Sequence, residues 1–147
     1  MAGGGFTAST ANPAGHAMTP MGSYAFLATA NAGPTMSQVI DVSTFAAAID
    51  AGTVSAMLET YAADTYNPSE TPWIYIDFRN ASGTRLAIAS TGLPIRSIGS
   101  GFWRFLSITG RMPPLTRSMT LTLVASRVDG ANNNVAFDGI RAFINGF

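Results

Sequence analysis

Residues 36–52 read Met36-Ser-Gln-Val-Ile-Asp-Val42 followed by Ser43-Thr-Phe-Ala-Ala-Ala-Ile-Asp-Ala-Gly52. The first seven residues read as a strand. Ser43 is a good helix N-cap, because its hydroxyl can accept from a backbone N–H that the first helical turn leaves unpaired. Phe45, Ala48 and Ile49 then share one helical face, and Gly52 stands where a helix must stop. Thr53 to Ala62 returns to extended structure. A short helical plug between two consecutive strands suits one end of a two-sheet sandwich.

The rest of the chain repeats the strand pattern. Segments near Ser23–Thr29, Trp73–Arg79, Thr84–Ser90, Gly101–Thr109, Met119–Val128 and Val135–Ile144 join Met36–Val42 and Thr53–Ala62 as expected strands. Met119, Leu121, Leu123 and Ala125 form one apolar face, with Thr120, Thr122 and Ser126 on the other, which is the period of a half-buried strand. Asn80-Ala-Ser-Gly83 and Asp129-Gly130 are turn signals. Pro113-Pro114 cannot lie inside a central strand, so Gly110 to Ser118 reads as a connection. The expected architecture is all-β: a two-sheet jelly-roll sandwich of about eight strands with one short helix. Residues 1–21 are rich in Gly, Ala, Thr and Pro and read as a flexible arm, and residues 22–147 as the sandwich domain.

Composition bounds the function. The chain has 147 residues, 47% hydrophobic and only 11% charged, with zero formal net charge. Its mean hydropathy is +0.23. An ordinary soluble domain carries roughly 25% charged residues, and a surface this poor in charge is weakly protected against self-association. Cover by partners in an assembly is the simplest remedy. All eight basic residues are Arg, which makes planar bidentate contacts better than Lys does. Codon bias in a GC-rich genome explains the same preference. The Arg residues do not cluster, so no nucleic-acid partner is expected. Cysteine is absent, which excludes disulfides and thiolate metal sites. No charged n-region opens the chain and no stretch approaches the length of a membrane span, so neither a signal peptide nor a membrane partner is expected.

Particular residues carry a family resemblance. Ser37-Gln-Val-Ile-Asp-Val-Ser43 with Phe45-Ala-Ala-Ala-Ile-Asp-Ala-Gly-Thr53 resembles the start of a carbohydrate-binding-module-like jelly-roll domain. Gly22-Ser-Tyr24, Thr116-Arg-Ser118 and Asn132-Asn-Asn-Val-Ala-Phe-Asp138 fit the same pattern. Such domains are similar to the galactose-binding-like β-sandwiches found in secreted bacterial proteins and in phage tail-fibre and other virion proteins. The resemblance spans about Met21 to Phe147 and rests on turn and core residues, which specify fold better than ligand. It implies a structural calcium ion held partly by a Phe-Asp-Asp pair in the last strand. Here Phe137-Asp138-Gly139 keeps the first acid and lacks the second, and no Asp or Glu precedes Asp41. Calcium takes six to eight oxygens, so Asp138 is a weak calcium candidate, better read as a backbone hydrogen-bond acceptor. No cofactor is expected.

The strongest binding candidates are aromatic. In Trp73-Ile-Tyr-Ile-Asp-Phe78, alternation places Trp73, Tyr75 and Asp77 on one face and Ile74, Ile76 and Phe78 on the other. Trp73 and Tyr75 suit a flat sugar platform with Asp77 accepting hydroxyl hydrogen bonds, and Tyr61 and Tyr66 suit a nearby rim. The same residues suit a protein interface or a covered second layer. Core packing ranks first, interface second and sugar third. Trp103 reads as core.

Catalysis has little footing. His16, the only histidine, lies in the Gly/Ala/Pro-rich arm, away from any expected cleft. A glycosidase dyad such as Glu59 with Asp77 is a chance pair among eight scattered acids. The expectation is a non-enzymatic bacteriophage virion protein, a decoration or accessory subunit on capsid or tail. It would be made in the host cytoplasm and be oligomeric, gripping other virion proteins through its sandwich faces and arm. The alternative is a receptor- or carbohydrate-binding module that meets a bacterial surface glycan.

Overall fold

The computed structural model describes residues 2–9, 24–29, 33–64, 70–92, 103–127, 133 and 135–146. In chain order the strands are β1 (Ala2–Gly4), β2 (Phe6–Ser9), β3 (Ala25–Ala28), β4 (Thr35–Asp41), β5 (Ser55–Asp64), β6 (Thr71–Arg79), β7 (Arg85–Ser90), β8 (Arg104–Arg111), β9 (Ser118–Ser126) and β10 (Val135–Asn145). They form two five-stranded sheets among the described residues. Sheet A has the order β1-β4-β9-β6-β7 and sheet B the order β2-β3-β10-β5-β8. Every pairing is antiparallel. The eight expected strands are present, with ends displaced by a few residues. The 110–118 connection is shorter than expected, because β8 runs on through Arg111.

The period-two pattern sets the core. Ile74, Ile76 and Phe78 of β6 lie opposite Leu123, Leu121 and Met119 of β9, and all six are buried. From sheet B, Ala56, Leu58, Leu106, Ile108, Val135 and Phe137 meet them. Each fully buried large side chain contributes about 1.5–3 kcal/mol relative to exposure. Thr60, fully buried among them, donates from Oγ1 to the Asp138 carbonyl at 2.9 Å. That carbonyl lies at a β-bulge where the register shifts between Asp138 and Arg141.

The helical plug is one 3-10 turn (Ser43–Phe45) running into α1 (Ala46–Asp50). Ile49 is buried, and Phe45 and Ala48 pack on the core. Gly52 adopts φ 71° and closes the helix. The start differs from expectation. Ser43 makes no capping bond; instead Asp41 Oδ1 accepts from the Ser43 amide at 2.8 Å. Residue 41 turns the chain before Ser43 can act.

The N-terminal segment departs further from the sequence reading. Residues 2–9, expected within a flexible arm, form the edge strand of each sheet. Gly5, at φ 93°, lies between the two strands. Phe6 packs on the core, its ring centroid 6.0 Å from that of Phe137. A Gly/Ala-rich strand is invisible to periodicity because it brings one aromatic anchor and little else. His16, Tyr66 and the Asp129-Gly130 turn lie outside the described residues.

The opposite margin closes differently. A Cβ built on Gly110 of β8 would lie 2.7 Å from the Ala89 Cβ of β7 and 3.0 Å from Phe78 Cε2. The two sheets approach at this edge because residue 110 has no side chain. Gly110→Val is expected to destabilise the fold by about 1–3 kcal/mol, read as a lower urea midpoint with unchanged slope, and Gly110→Ala to cost less, with Ala89→Gly beside it relieving the contact with Ala89 but not the one with Phe78.

Asp50 ties α1 to the turn before β9. Its carboxylate accepts from Arg117 Nη2 at 2.7 Å and from the Leu115 amide at 2.7 Å. Leu115 holds φ 71°, which a branched residue rarely adopts. The Arg117 guanidinium first, and then the Leu115 amide, hold the Asp50 carboxyl below the usual carboxylate value. Such a lowered folded value gives stability that is complete above about pH 4 and is lost as pH falls through it. In urea titrations, Asp50→Asn is therefore expected to flatten the acid-side fall in stability below about pH 4; parallel curves for the two proteins would sink the assignment.

Candidate functional site

β6 is an interior strand of sheet A, between the central strand β9 and the edge strand β7, so its outward residues lie one strand in from that edge of the outer face. Trp73, Tyr75 and Asp77 point outward together, as alternation requires. In register, Trp73 lies beside Val124, Tyr75 between Thr122 and Ser90, and Asp77 between Thr120 and Ile88. The structure brings three of the four predicted site residues onto one face.

Their geometry differs from a flat platform. The Trp73 and Tyr75 rings stack on each other, with centroids 5.0 Å apart and planes inclined by 29°. Each therefore turns one face to the other and both are half-buried. Trp73 Nε1 donates to Ser126 Oγ at 3.2 Å, which fixes the indole from the neighbouring strand. What is left for a ligand is the outer edge and flank of the stack.

Asp77 is also committed. Its side chain is only 4% exposed. Arg85 forks onto it, with Nε 2.6 Å from Oδ1 and Nη2 donating to Oδ2 at 3.0 Å. Arg79 Nη2 donates to the same Oδ2 at 3.2 Å. Both hydrogen bonds thus fall on Oδ2, and Oδ1 meets Arg85 only as an ion-pair contact without hydrogen-bond geometry. The predicted role of Asp77 as an acceptor for sugar hydroxyls is not what the geometry provides, since both its oxygens face cations. The cluster carries one positive charge in excess, and Arg85, with its side chain 53% exposed, presents it to solvent. Sequence reading singles out neither arginine. The Asn80–Gly83 turn is the signal that could have located them: Arg79 and Arg85 are cross-strand partners at its base. Asn80 builds that turn, its Oδ1 accepting from the Ser82 and Thr84 amides at 3.1 and 2.9 Å.

Tyr61 lies elsewhere. It belongs to β5 and points from the outer face of sheet B, opposite Phe105 in register, with ring centroids 5.3 Å apart. Tyr61 and the Trp73–Tyr75 pair therefore face opposite sides of the sandwich and form no common rim. On the same outer face the structure places two apolar pairs that sequence reading missed, Tyr61 with Phe105 and Met57 with Phe143. Phe105 is 49% and Phe143 39% exposed, and half-buried Met57 lies directly opposite Phe143. Glu59 and Arg141 occupy the row between these two pairs on the same face. Period-two alternation in β8 and β10 would have revealed them, had the bulge after Asp138 been legible. Trp103 is half-buried rather than core, and its neighbour Phe105 is surface.

The acids are dispersed. Glu59 faces out from sheet B and Asp77 from sheet A, so they cannot flank one glycosidic bond. Asp138 is buried at the bulge, its Oδ1 accepting from the Gly139 amide at 2.7 Å. Among the described residues, no three His, Cys, Asp or Glu side chains converge as a metal set. No described helix is long and apolar enough to cross a membrane.

No protein-family model matches the chain, and no curated protein does. Solved structures do. A bacteriophage CBA120 tailspike protein 4 structure containing its enzymatically active domain superposes with a TM-score of 0.65 at 18% identity over 97% of this chain. This chain spans only 19% of the length of that one. A family 16 carbohydrate-binding module gives a TM-score of 0.59 at 12% identity, covering 84% of this chain and 79% of that module. The infectious bursal disease virus structure (Gx strain) gives 0.55 at 18% identity, covering 82% of this chain and 30% of that one. Identities this low speak for fold alone. The chain folds as a carbohydrate-binding-module-like β-sandwich of a kind that also occurs in phage and viral proteins.

Proposed function

We propose that the chain is a non-catalytic module of a bacteriophage virion protein, a decoration or accessory subunit held in the particle through its sandwich faces. The observation that carries this reading is the outer face of sheet B. Tyr61 with Phe105 and Met57 with Phe143 form two apolar pairs on either side of the Glu59–Arg141 row, in a chain with 11% charged residues. Large exposed apolar side chains gathered on one rigid sheet are what a protein partner covers. The fold shared with a phage tailspike supports the same setting. No cofactor is needed for such a role, and the protein would act in the virion after synthesis in the host cytoplasm.

The test is direct. Quantitative mass spectrometry of purified particles of the phage encoding the chain is expected to find it at a fixed copy number. Phe105→Asp with Phe143→Asp should lower incorporation at least about tenfold, since buried aromatic anchors are commonly worth about 2 kcal/mol or more each. Absence from particles would overturn the reading.

A second reading, as a receptor- or glycan-binding module, is favoured by one observation: the Trp73–Tyr75 stack lies one row from the Asp77–Arg79–Arg85 cluster. The stack offers an aromatic flank, and the excess guanidinium charge favours an anionic bacterial surface glycan. On a glycan array this reading expects selective binding that Trp73→Ala reduces at least about tenfold. Binding indifferent to Trp73 would remove this face from consideration.

A further inference from the structure

The N-terminal strands pair with their own chain through a connection far longer than the pairing needs. β2 and β3 are antiparallel neighbours, with Ser9 directly opposite Ala25. A hairpin joining such partners takes about two to five residues, yet fifteen residues, 10–24, separate them here. Fully extended, fifteen residues reach up to about 50 Å. That exceeds the width of a domain of this size, about 40 Å from the usual scaling of compact chains. The chain is long enough to place residues 2–9 on a neighbouring molecule as well as on its own.

The contacts of residues 2–9 are also of an exchangeable kind. Among the described residues, β1 pairs only with β4 and β2 only with β3, so each lies at a sheet edge. One ring, Phe6, packs on the core, against Phe137. The bend at Gly5 is latched by Thr29, whose amide and Oγ1 both donate to the Gly5 carbonyl, at 2.6 and 2.9 Å. Every one of these contacts is offered by β3 with Thr29, by β4 and by β10, which a second copy presents identically.

We propose that residues 2–9 are a donor-strand clip exchanged between copies of this chain, the β3 and β4 edges of one copy receiving the β1–β2 segment of another. The exchanged and closed forms make the same contacts, so their balance depends on the connection and on concentration. A tethered segment competes at an effective concentration in the millimolar range. Exchange is therefore disfavoured in dilute solution and favoured where copies are crowded side by side. This goes beyond the virion reading and does not require it, since any crowded array of copies supplies the condition.

The absence of cysteine makes the test clean. Thr7 and Leu27 are directly opposed across β2 and β3, at the separation of antiparallel partners, which a disulfide spans. Thr7→Cys and Leu27→Cys are made in separate chains, co-refolded and oxidised, and the products are mapped by peptide mass spectrometry. Near millimolar protein, a disulfide joining position 7 of one chain to position 27 of another is expected, falling at least about tenfold in yield at micromolar protein. The doubly substituted chain, refolded dilute, should close the same bond within itself. Closure within the double variant, with no such bond between chains from the mixture at any concentration, would overturn exchange. So would a double variant that folds but never closes, since β2 then does not lie on β3. Should either Leu27→Cys or Thr7→Cys prevent folding, Ser9→Cys with Ala25→Cys repeats the experiment at the end of the ladder. A chain that exchanges its strand but is missing from particles overturns the virion reading alone, and the converse result overturns exchange alone.

Discussion

The antiparallel pairing of β6 with β9 is the constraint on which the rest of this molecule depends. Ile74, Ile76 and Phe78 lie against Leu123, Leu121 and Met119 at the centre of sheet A, and moving either strand by one residue would turn its inward side chains to the opposite face. The cost of exposing such large apolar groups fixes the register. Once it is fixed, the outward positions have no freedom either. Trp73, Tyr75 and Asp77 face outward because their neighbours must face inward, so the candidate site is in part a by-product of core packing.

That origin bears on what the outer face can do. A carboxylate held at 4% exposure on a sheet surface needs compensation, and here it receives two guanidinium groups. Removing one partner of a buried ion pair costs far more than the pair contributes net. The cluster ties the two strands of the β6–β7 hairpin together, with Arg79 also donating to the Gly83 carbonyl at 2.8 Å. An acceptor of this kind is already occupied, whereas the surplus positive charge is not.

How much is legible in the sequence depends on whether a residue's role is local. β9 and β6 are readable because alternation over several residues has one cheap solution. Gly52 is readable because a helix followed at once by an extended run commonly ends in a left-handed residue. Ser43 escapes its expected role because an acidic residue two positions earlier takes over the turn, a competition between neighbouring side chains that composition does not rank. The partnership of Asp77 with Arg85 needs the register across a turn, and the separation of Tyr61 from Tyr75 needs knowledge of which sheet each strand joins. Those are long-range facts.

The N-terminal strands lie at the far end of this scale. Little in Ala2-Gly-Gly-Gly-Phe-Thr-Ala-Ser9 favours a strand by propensity, since Gly and Ala are depleted in sheets. The segment is extended because two open edges offer ladder hydrogen bonds and because the core beside Phe137 accepts Phe6. Structure of this sort belongs to the receiving edge rather than to the strand. A segment with little intrinsic preference, bound by one ring and a backbone ladder, has no means of telling its own edge from an identical one on a neighbour. The same poverty of local signal that hides β1 and β2 from sequence reading is what makes them transferable.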